Sequence, residues 1–318
     1  MKFRAWNFVM IQTPDHVIQI PIASIWPACK ISVQIYSREN QQKIVESREI
    51  ITTGLLNCGN YDTQSLNWQD YLFAKEGDFS IEVIRLKDGN LKFAIDAQSI
   101  NFSAEFIVHD QGIESQVFFM PLSDDMLHYF TTKKTYGILT DGSYKYQDKE
   151  YQCNSSNKDC LTLYDNARGH LLYDTKWIWA IMNAYLPEYD MIVAFNFQDG
   201  IGSSFNPDDG NKFMEDFVLI NGKHYKIDQV QIEYEESNIM QPQTFSTIKD
   251  LNLKIFKNRE CQVKFTPLGV AEDGIHLIVY GITQNLVYGL YSGSCNIDGW
   301  IIQFKDQLGV VEHLNARW

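Results

Sequence analysis

Along much of this chain apolar residues recur at every second position, and tight-turn dipeptides fall between the runs. Phe102, Ala104, Phe106 and Val108 alternate with Ser103, Glu105 and Ile107. Cys261, Val263 and Phe265 alternate with Gln262 and Lys264, and Leu251, Leu253 and Ile255 with Asn252 and Lys254. A period of two places the apolar set on one face of a strand and the polar set on the other. Asp88-Gly89 separates Ile81–Leu86 from Leu91–Ile95, and Asn221-Gly222 joins Phe217–Ile220 to His224–Ile227. Asp141-Gly142 precedes Tyr144 and Tyr146, and Lys257–Glu260 reads as a longer hairpin loop. Such dipeptides accept positive φ and suit the twist of hairpins. Helical periodicity is confined to a short stretch, Ser123–Tyr129. The pattern predicts an all-β chain, an antiparallel meander whose edges are removed by closure into two barrels or strongly curved sheets. No clear internal repeat is visible in the residues.

The length, 318 residues, suits two domains. The polar stretch Asn154–Asp159 places the expected division at 1–155 and 156–318. A formal net charge of −13 excludes the positive footprint that nucleic-acid binding requires. No apolar run reaches the length of a membrane span. Near the N-terminus only Phe8–Ile11 is continuously apolar before Asp15 and His16 intervene, so a cytoplasmic protein without a leader is expected. The triplets at Asn101 and Asn154 are then chance matches to a glycosylation signal. The six cysteines (Cys29, Cys58, Cys153, Cys160, Cys261 and Cys295) form no C-x-x-C, and their scatter argues against zinc and against a disulfide framework. Reduced thiols are expected, with a short Cys153–Cys160 loop as the oxidised alternative. The histidines lack metal spacing, and no phosphate loop, dinucleotide fingerprint or nucleophile elbow occurs, so neither metal nor cofactor is expected.

Chemistry concentrates in Asp165-Asn166-Ala167-Arg168-Gly169-His170, followed by Tyr173, Trp177 and Trp179. Arg168 is a permanent cation. Buried, it needs a carboxylate or carbonyl partner, with Asp165, Asp174 and Glu312 as candidates. It is either a latch between strands or an anchor for a ligand's polar end. Trp177 and Trp179 share a strand face and either fill the core or form a stacking wall, with Tyr173 beside them. Asp165 and His170 are the candidate proton carriers if the chain is an enzyme. His109-Asp110 reads as a solvated turn, Glu312 is expected to pair with Arg317 or the first strands, and Trp318 to pack against the body.

The order and spacing of these residues resemble the signature of the family called domain of unknown function 2804. The stretch Asp165–Gly169 with Trp177-Ile178-Trp179-Ala180 carries the likeness, as do Phe195-Asn196-Phe197, Asn221–Ile227 and the Gly289–Trp318 close. His170 stands where that family has an apolar residue. The resemblance implies paired calycin- or lipocalin-like barrels, similar to the carotenoid hydratase and hydroxytriene synthase group, and implies no settled activity. On this basis the expected function is binding of a small apolar or amphipathic molecule in a barrel or inter-domain cleft, with Arg168 orienting its head and Trp177, Trp179 and Tyr173 lining it. A structural subunit with protein partners, and a hydratase or dehydratase acting on an apolar substrate, are the alternatives.

Overall fold

The structure, a computed structural model, describes residues 3–25, 28–38, 46–53, 67–68, 70–201, 215–232, 255–276 and 281–317, with the side chains of 28, 46–53, 255–257 and 272–276 left aside. The expectations placed on Cys58, Leu251–Lys254 and Trp318 lie outside these residues. The chain is all-β: among the described residues only two single 3-10 turns interrupt the strands. Its contacts form two compact units. The first draws on 3–38, 46–119 and 130–170, the second on 120–129 and 171–317.

The first sheet contains β1 (Arg4–Gln12), β2 (His16–Ile25), β3 (Ala28–Ser37), β4 (Glu46–Thr53), β5 (Tyr71–Glu76), β6 (Phe79–Arg85), β7 (Leu91–Ala97), β8 (Phe102–Val108), β9 (Gln116–Pro121), β10 (Tyr129–Tyr146), β11 (Lys149–Cys153) and β12 (Leu161–His170). Its order is β4-β3-β2-β1-β12-β10-β8-β7-β6-β5, with β9 and β11 attached to β10. The second sheet contains β13 (Asp174–Leu186), β14 (Met191–Asp199), β15 (Phe217–Ile220), β16 (Lys223–Lys226), β17 (Gln231–Ile232), β18 (Ile255–Lys257), β19 (Cys261–His276), β20 (Gly281–Ile297) and β21 (Trp300–Arg317). Its order is β16-β15-β14-β13-β21-β20-β19-β18-β17. One sheet is a nearly closed barrel and the other is strongly curved. Each runs outward through four consecutive strands on one side, and on the other passes from its first strand to its last. The repeat that the residues do not show is thus plain in the strand order.

Alternation fills the cores as expected. Phe102, Ala104, Phe106 and Val108 of β8 and Val9 and Ile11 of β1 belong to the first core, and Ile178, Ala180 and Met182 of β13 and Cys261, Val263 and Phe265 of β19 to the second. Asn221-Gly222 makes the tight β15–β16 turn, both residues at positive φ. Asp141-Gly142 does not turn the chain, which corrects the sequence reading. It lies inside β10, where Gly142 pairs with Phe106 on one side and Cys153 on the other. A Cβ there would stand 2.1 Å from the Glu105 carbonyl oxygen, so glycine serves close strand approach rather than reversal. Ser123–Tyr129 is not a helix. The Ser123 hydroxyl and the Leu127 N–H both donate to the Asp125 carboxylate, and Met126 adopts φ 56°. Short polar side chains that bond the local backbone favour turns over helices.

The reduced-thiol reading is also corrected. Cys153 bonds to Cys160 and Cys261 to Cys295, and Cys29 is disulfide-bonded as well. Cys261 and Cys295 are 34 apart in sequence yet face each other in the β19–β20 register. Antiparallel pairing makes partners of distant residues, so cysteine scatter along the chain carried no evidence against bridges.

Candidate functional site

β12 is buried along nearly its whole length, and its pleat sorts the singled-out residues onto two faces. Tyr164 belongs to the first core, and Asn166 and Arg168 continue its face. Leu163, Asp165 and Ala167 point the other way. On neighbouring β1, Val9 and Ile11 enter the core while Trp6, Phe8 and Met10 share the side of Asp165.

Asp165 is 5% exposed and held by three groups. The Thr132 hydroxyl donates to Oδ1 at 2.7 Å, and the Trp6 indole N–H donates to Oδ2 at 3.4 Å. The Lys134 ammonium, 3% exposed, stands 3.7 Å from Oδ1. The Trp6 ring also packs against Phe130, with centroids 5.7 Å apart. The first unit therefore carries a desolvated ion pair beside an aromatic wall, on the sheet face turned away from its apolar core. Sequence reading missed Lys134. Its signal was its place in the alternating run Phe130, Thr132, Lys134, Tyr136, all buried, in which a lysine demands a partner.

Arg168 is 3% exposed, on the core-facing side, opposite Ala5 of β1. Of the three carboxylates considered as partners for Arg168, Asp165 does not pair with it, because a separation of three puts the two on opposite faces. His170 falls on the face of Arg168, with its ring edge-on to Phe3 at 5.4 Å. Asp165 and His170 are likewise not brought together. Tyr173, in the second unit, is exposed.

In the second unit Trp177 and Trp179 share the face of β13 opposite its core residues Ile178 and Ala180, as alternation requires. The Trp177 indole donates to Glu312 Oε2 at 3.0 Å, and the Gln284 amide donates to Oε1. The Trp179 indole donates to Asn196 Oδ1 at 2.6 Å, and the Asn196 amide passes the chain of bonds on to the Glu215 carbonyl at 2.9 Å. Glu312 is buried and Arg317 exposed, five positions apart on opposite faces of β21, so the expected pairing between them gives way to the indole and amide bonds.

Two further carboxyls are shifted by their surroundings. Burial pushes the Asp216 carboxyl up to about 7, against the stabilising N–H bonds from Gln198 (2.8 Å) and Val230 (3.1 Å), with the charges of Glu215 and Asp199 adding to the rise. His109 is not simply solvated: its Nε2 lies 2.7 Å from Asp141 Oδ2. Burial raises Asp141, but the Ser155 N–H, the His109 ring and the Ser155 hydroxyl outweigh it and hold the carboxyl below its ordinary range.

No group of three or more His, Cys, Asp or Glu among the described residues is placed to hold a metal ion. No helix among them is long and apolar enough to cross a membrane. An open pocket of about 670 Å³ lies at the hairpin ends of the second unit, lined by residues that include Lys223, Tyr225, Lys226, Arg259, Glu260 and Asp298. It contains none of Asp165, Arg168, His170, Tyr173, Trp177 and Trp179, and Arg259 there lies 3.2 Å from Glu260 and 3.9 Å from Asp228.

One nearly closed and one curved antiparallel sheet, each with buried polar groups on the face away from its core, define an all-β protein of two sheets. The chain belongs to the family described as domain of unknown function (DUF2804), which it matches over residues 1–318. No curated protein matches it in sequence. In structure it is similar to a protein assigned as AttH from Nitrosomonas europaea, at a TM-score of 0.53 and 12% identity over 98% of this chain and 92% of that one. It is similar to kievitone hydratase from Nectria haematococca at a TM-score of 0.53 and 10% identity, over 98% and 88%. These likenesses establish the shared fold.

Proposed function

We propose that this protein binds a small amphipathic molecule, with its polar end on the Asp165–Lys134 pair and its apolar body along the aromatic side chains of the same face. One observation carries the reading: a buried ion pair, joined by an indole and a hydroxyl, on a face outside the apolar core. Such a pair costs several kcal/mol per ion in desolvation and is weak evidence for stability, whereas desolvated charge beside aromatic surface is the make-up of ligand sites. In the first unit Val9, Ile11, Phe93 and Phe106 are 0% exposed, which favours the outer face of the barrel over its interior. Arg168, Trp177, Trp179 and Tyr173 remain candidates for ligand contact. The disulfides favour an oxidising compartment over the cytoplasm expected from the sequence.

The test uses 1-aminoanthracene, an amphipathic fluorophore with an amine head. The wild-type chain is expected to enhance its emission saturably, and Asp165→Asn to weaken binding by tenfold or more while circular dichroism is unchanged. No saturable binding to wild type would refute the reading.

Hydration or dehydration of an apolar substrate is the second reading. The likeness in fold to kievitone hydratase and the buried Asp165 carboxylate favour it. Asp165 would then move a proton, with the Trp6 indole and Thr132 hydroxyl orienting it. Any molecule extracted from the protein after incubation in ¹⁸O-labelled water would carry the label; recovery without label would count against this reading.

A further inference from the structure

The expectation that the triplets at Asn101 and Asn154 are chance matches to a glycosylation signal depends on a reducing compartment, and in the structure Cys153–Cys160 and Cys261–Cys295 are bridged. In an oxidising compartment an Asn-x-Ser triplet can accept an oligosaccharide, and its place in the fold decides whether it is usable. Asn101-Phe102-Ser103 is bound into the sheet. Phe102 is buried, Phe102 and Ser103 pair with β7 on one side and β10 on the other, and the Asn101 carbonyl accepts the Gln147 N–H. Asn154-Ser155-Ser156 lies outside the strands, in the connection between β11 and β12 that the Cys153–Cys160 bridge closes.

In this loop the middle residue is tied to the body of the first unit and its two neighbours are exposed. The Ser155 N–H and hydroxyl both donate to the Asp141 carboxylate, at 2.6 and 2.9 Å. Asn154 and Ser156 stand exposed on either side. The Ser156 N–H donates to the Asn154 side-chain oxygen at 2.9 Å, and the Asn154 N–H donates to Asp159 at 3.1 Å. The carboxamide is thus held through its oxygen. Among the described residues neither the Asn154 Nδ2 nor the Ser156 hydroxyl makes a hydrogen bond. An acceptor triplet needs those two groups, an amide nitrogen and a hydroxyl two residues on. We infer that Asn154 is a site of asparagine-linked glycosylation. In the step, Nδ2 bonds to the anomeric carbon of an oligosaccharide carried on a lipid pyrophosphate. The carbon–oxygen bond to the pyrophosphate breaks, the amide gives up one proton, and the lipid pyrophosphate leaves with the electron pair. The inference rests on the oxidising compartment read from the disulfides, and goes beyond it in assigning the acceptor.

The test uses the full chain purified from the cells that make it, lysed in N-ethylmaleimide so that free thiols are blocked as they stand. Its peptides are treated with peptide N-glycosidase A in ¹⁸O-labelled water, which turns a glycosylated asparagine into labelled aspartate; a sample without the enzyme reads spontaneous deamidation. Enzyme-dependent label at residue 154 is expected. Ser156→Ala, expressed in the same cells, should lose that label. It deletes the hydroxyl and keeps the N–H that holds the Asn154 side chain, and the Cys153–Cys160 bridge should persist in the non-reduced peptide map. An unlabelled Asn154 beside an intact bridge would overturn the acceptor and leave the compartment reading standing. Blocked thiols at Cys153 and Cys160 with no label would overturn both. Label that survives Ser156→Ala would show that the triplet does not direct the modification.

Discussion

Asp165 and Arg168 lie three residues apart on β12 and point to opposite faces of the sheet, so the acid is met by Lys134 and not by the arginine. Double-mutant cycles on urea unfolding separate the two arrangements. Asp165 and Lys134 should couple by about 1–3 kcal/mol, and Asp165 and Arg168, on opposite faces of the sheet, by less than about 0.5 kcal/mol. Lys134→Ala alone should cost about 3–5 kcal/mol, because it strands a buried carboxylate. Equal coupling of Asp165 to both cations would contradict the geometry.

Asp216 gives the second unit a pH dependence of definite sign. Its folded pKa, about 7, is above the 3.8 of an ordinary aspartate, so the folded chain binds the extra proton between these values. Stability from this group is full below about pH 4 and falls as pH rises toward 7. The loss is at most about 4 kcal/mol, from roughly 1.4 kcal/mol per pH unit. Unfolding free energies measured from pH 4 to 8 should decline across this window, and Asp216→Asn should flatten the decline. A slope identical in the variant would show that another group is responsible.

The disulfides close loops of different length, with sequence separations of 7 for Cys153–Cys160 and 34 for Cys261–Cys295. In the chain-entropy account, opening the first costs about 2.5 kcal/mol and the second about 4 kcal/mol. Cysteine-to-serine pairs, compared by denaturant midpoint, should rank in that order, and dithiothreitol should destabilise wild type without affecting a variant that lacks all the bridges. Midpoints insensitive to reductant would mean the thiols are free.

Gly142 and Gly222 both have positive φ but for different reasons. Alanine at Gly142 would drive its Cβ into the Glu105 carbonyl, whereas at Gly222 nothing lies within 4 Å. Gly222→Ala should cost about 1 kcal/mol, the backbone penalty alone. Gly142→Ala should cost about 3 kcal/mol or more, or prevent folding, because two strands must separate. Thermal melts of the two variants decide it; similar melting temperatures would place Gly142 in a turn.

The fold was readable from local pattern because alternation and turn chemistry act within a few residues: β8, the start of β19 and the Asn221-Gly222 hairpin follow from sequence directly. Gly142 was misread because the same Asp-Gly pair serves a turn and a close strand approach, and only the neighbouring strand distinguishes them. At the site, residue types were legible and partners were not. Trp177 and Trp179 share a face because alternation within one strand decides it. That Trp6 meets Asp165, 159 positions away, or that Gln284 meets Glu312, depends on strand order. The same holds for the cysteine pairs and for the repeat, which lives in topology and register and has left little trace in residue identity.

The measurement closest to the central claim is the indole N–H signal of Trp6 during titration of the ¹⁵N-labelled protein with 1-aminoanthracene. The account requires that signal to move saturably with probe concentration in wild type, and to lose its response in Asp165→Asn. A Trp6 signal that stays fixed while the probe binds elsewhere would contradict it.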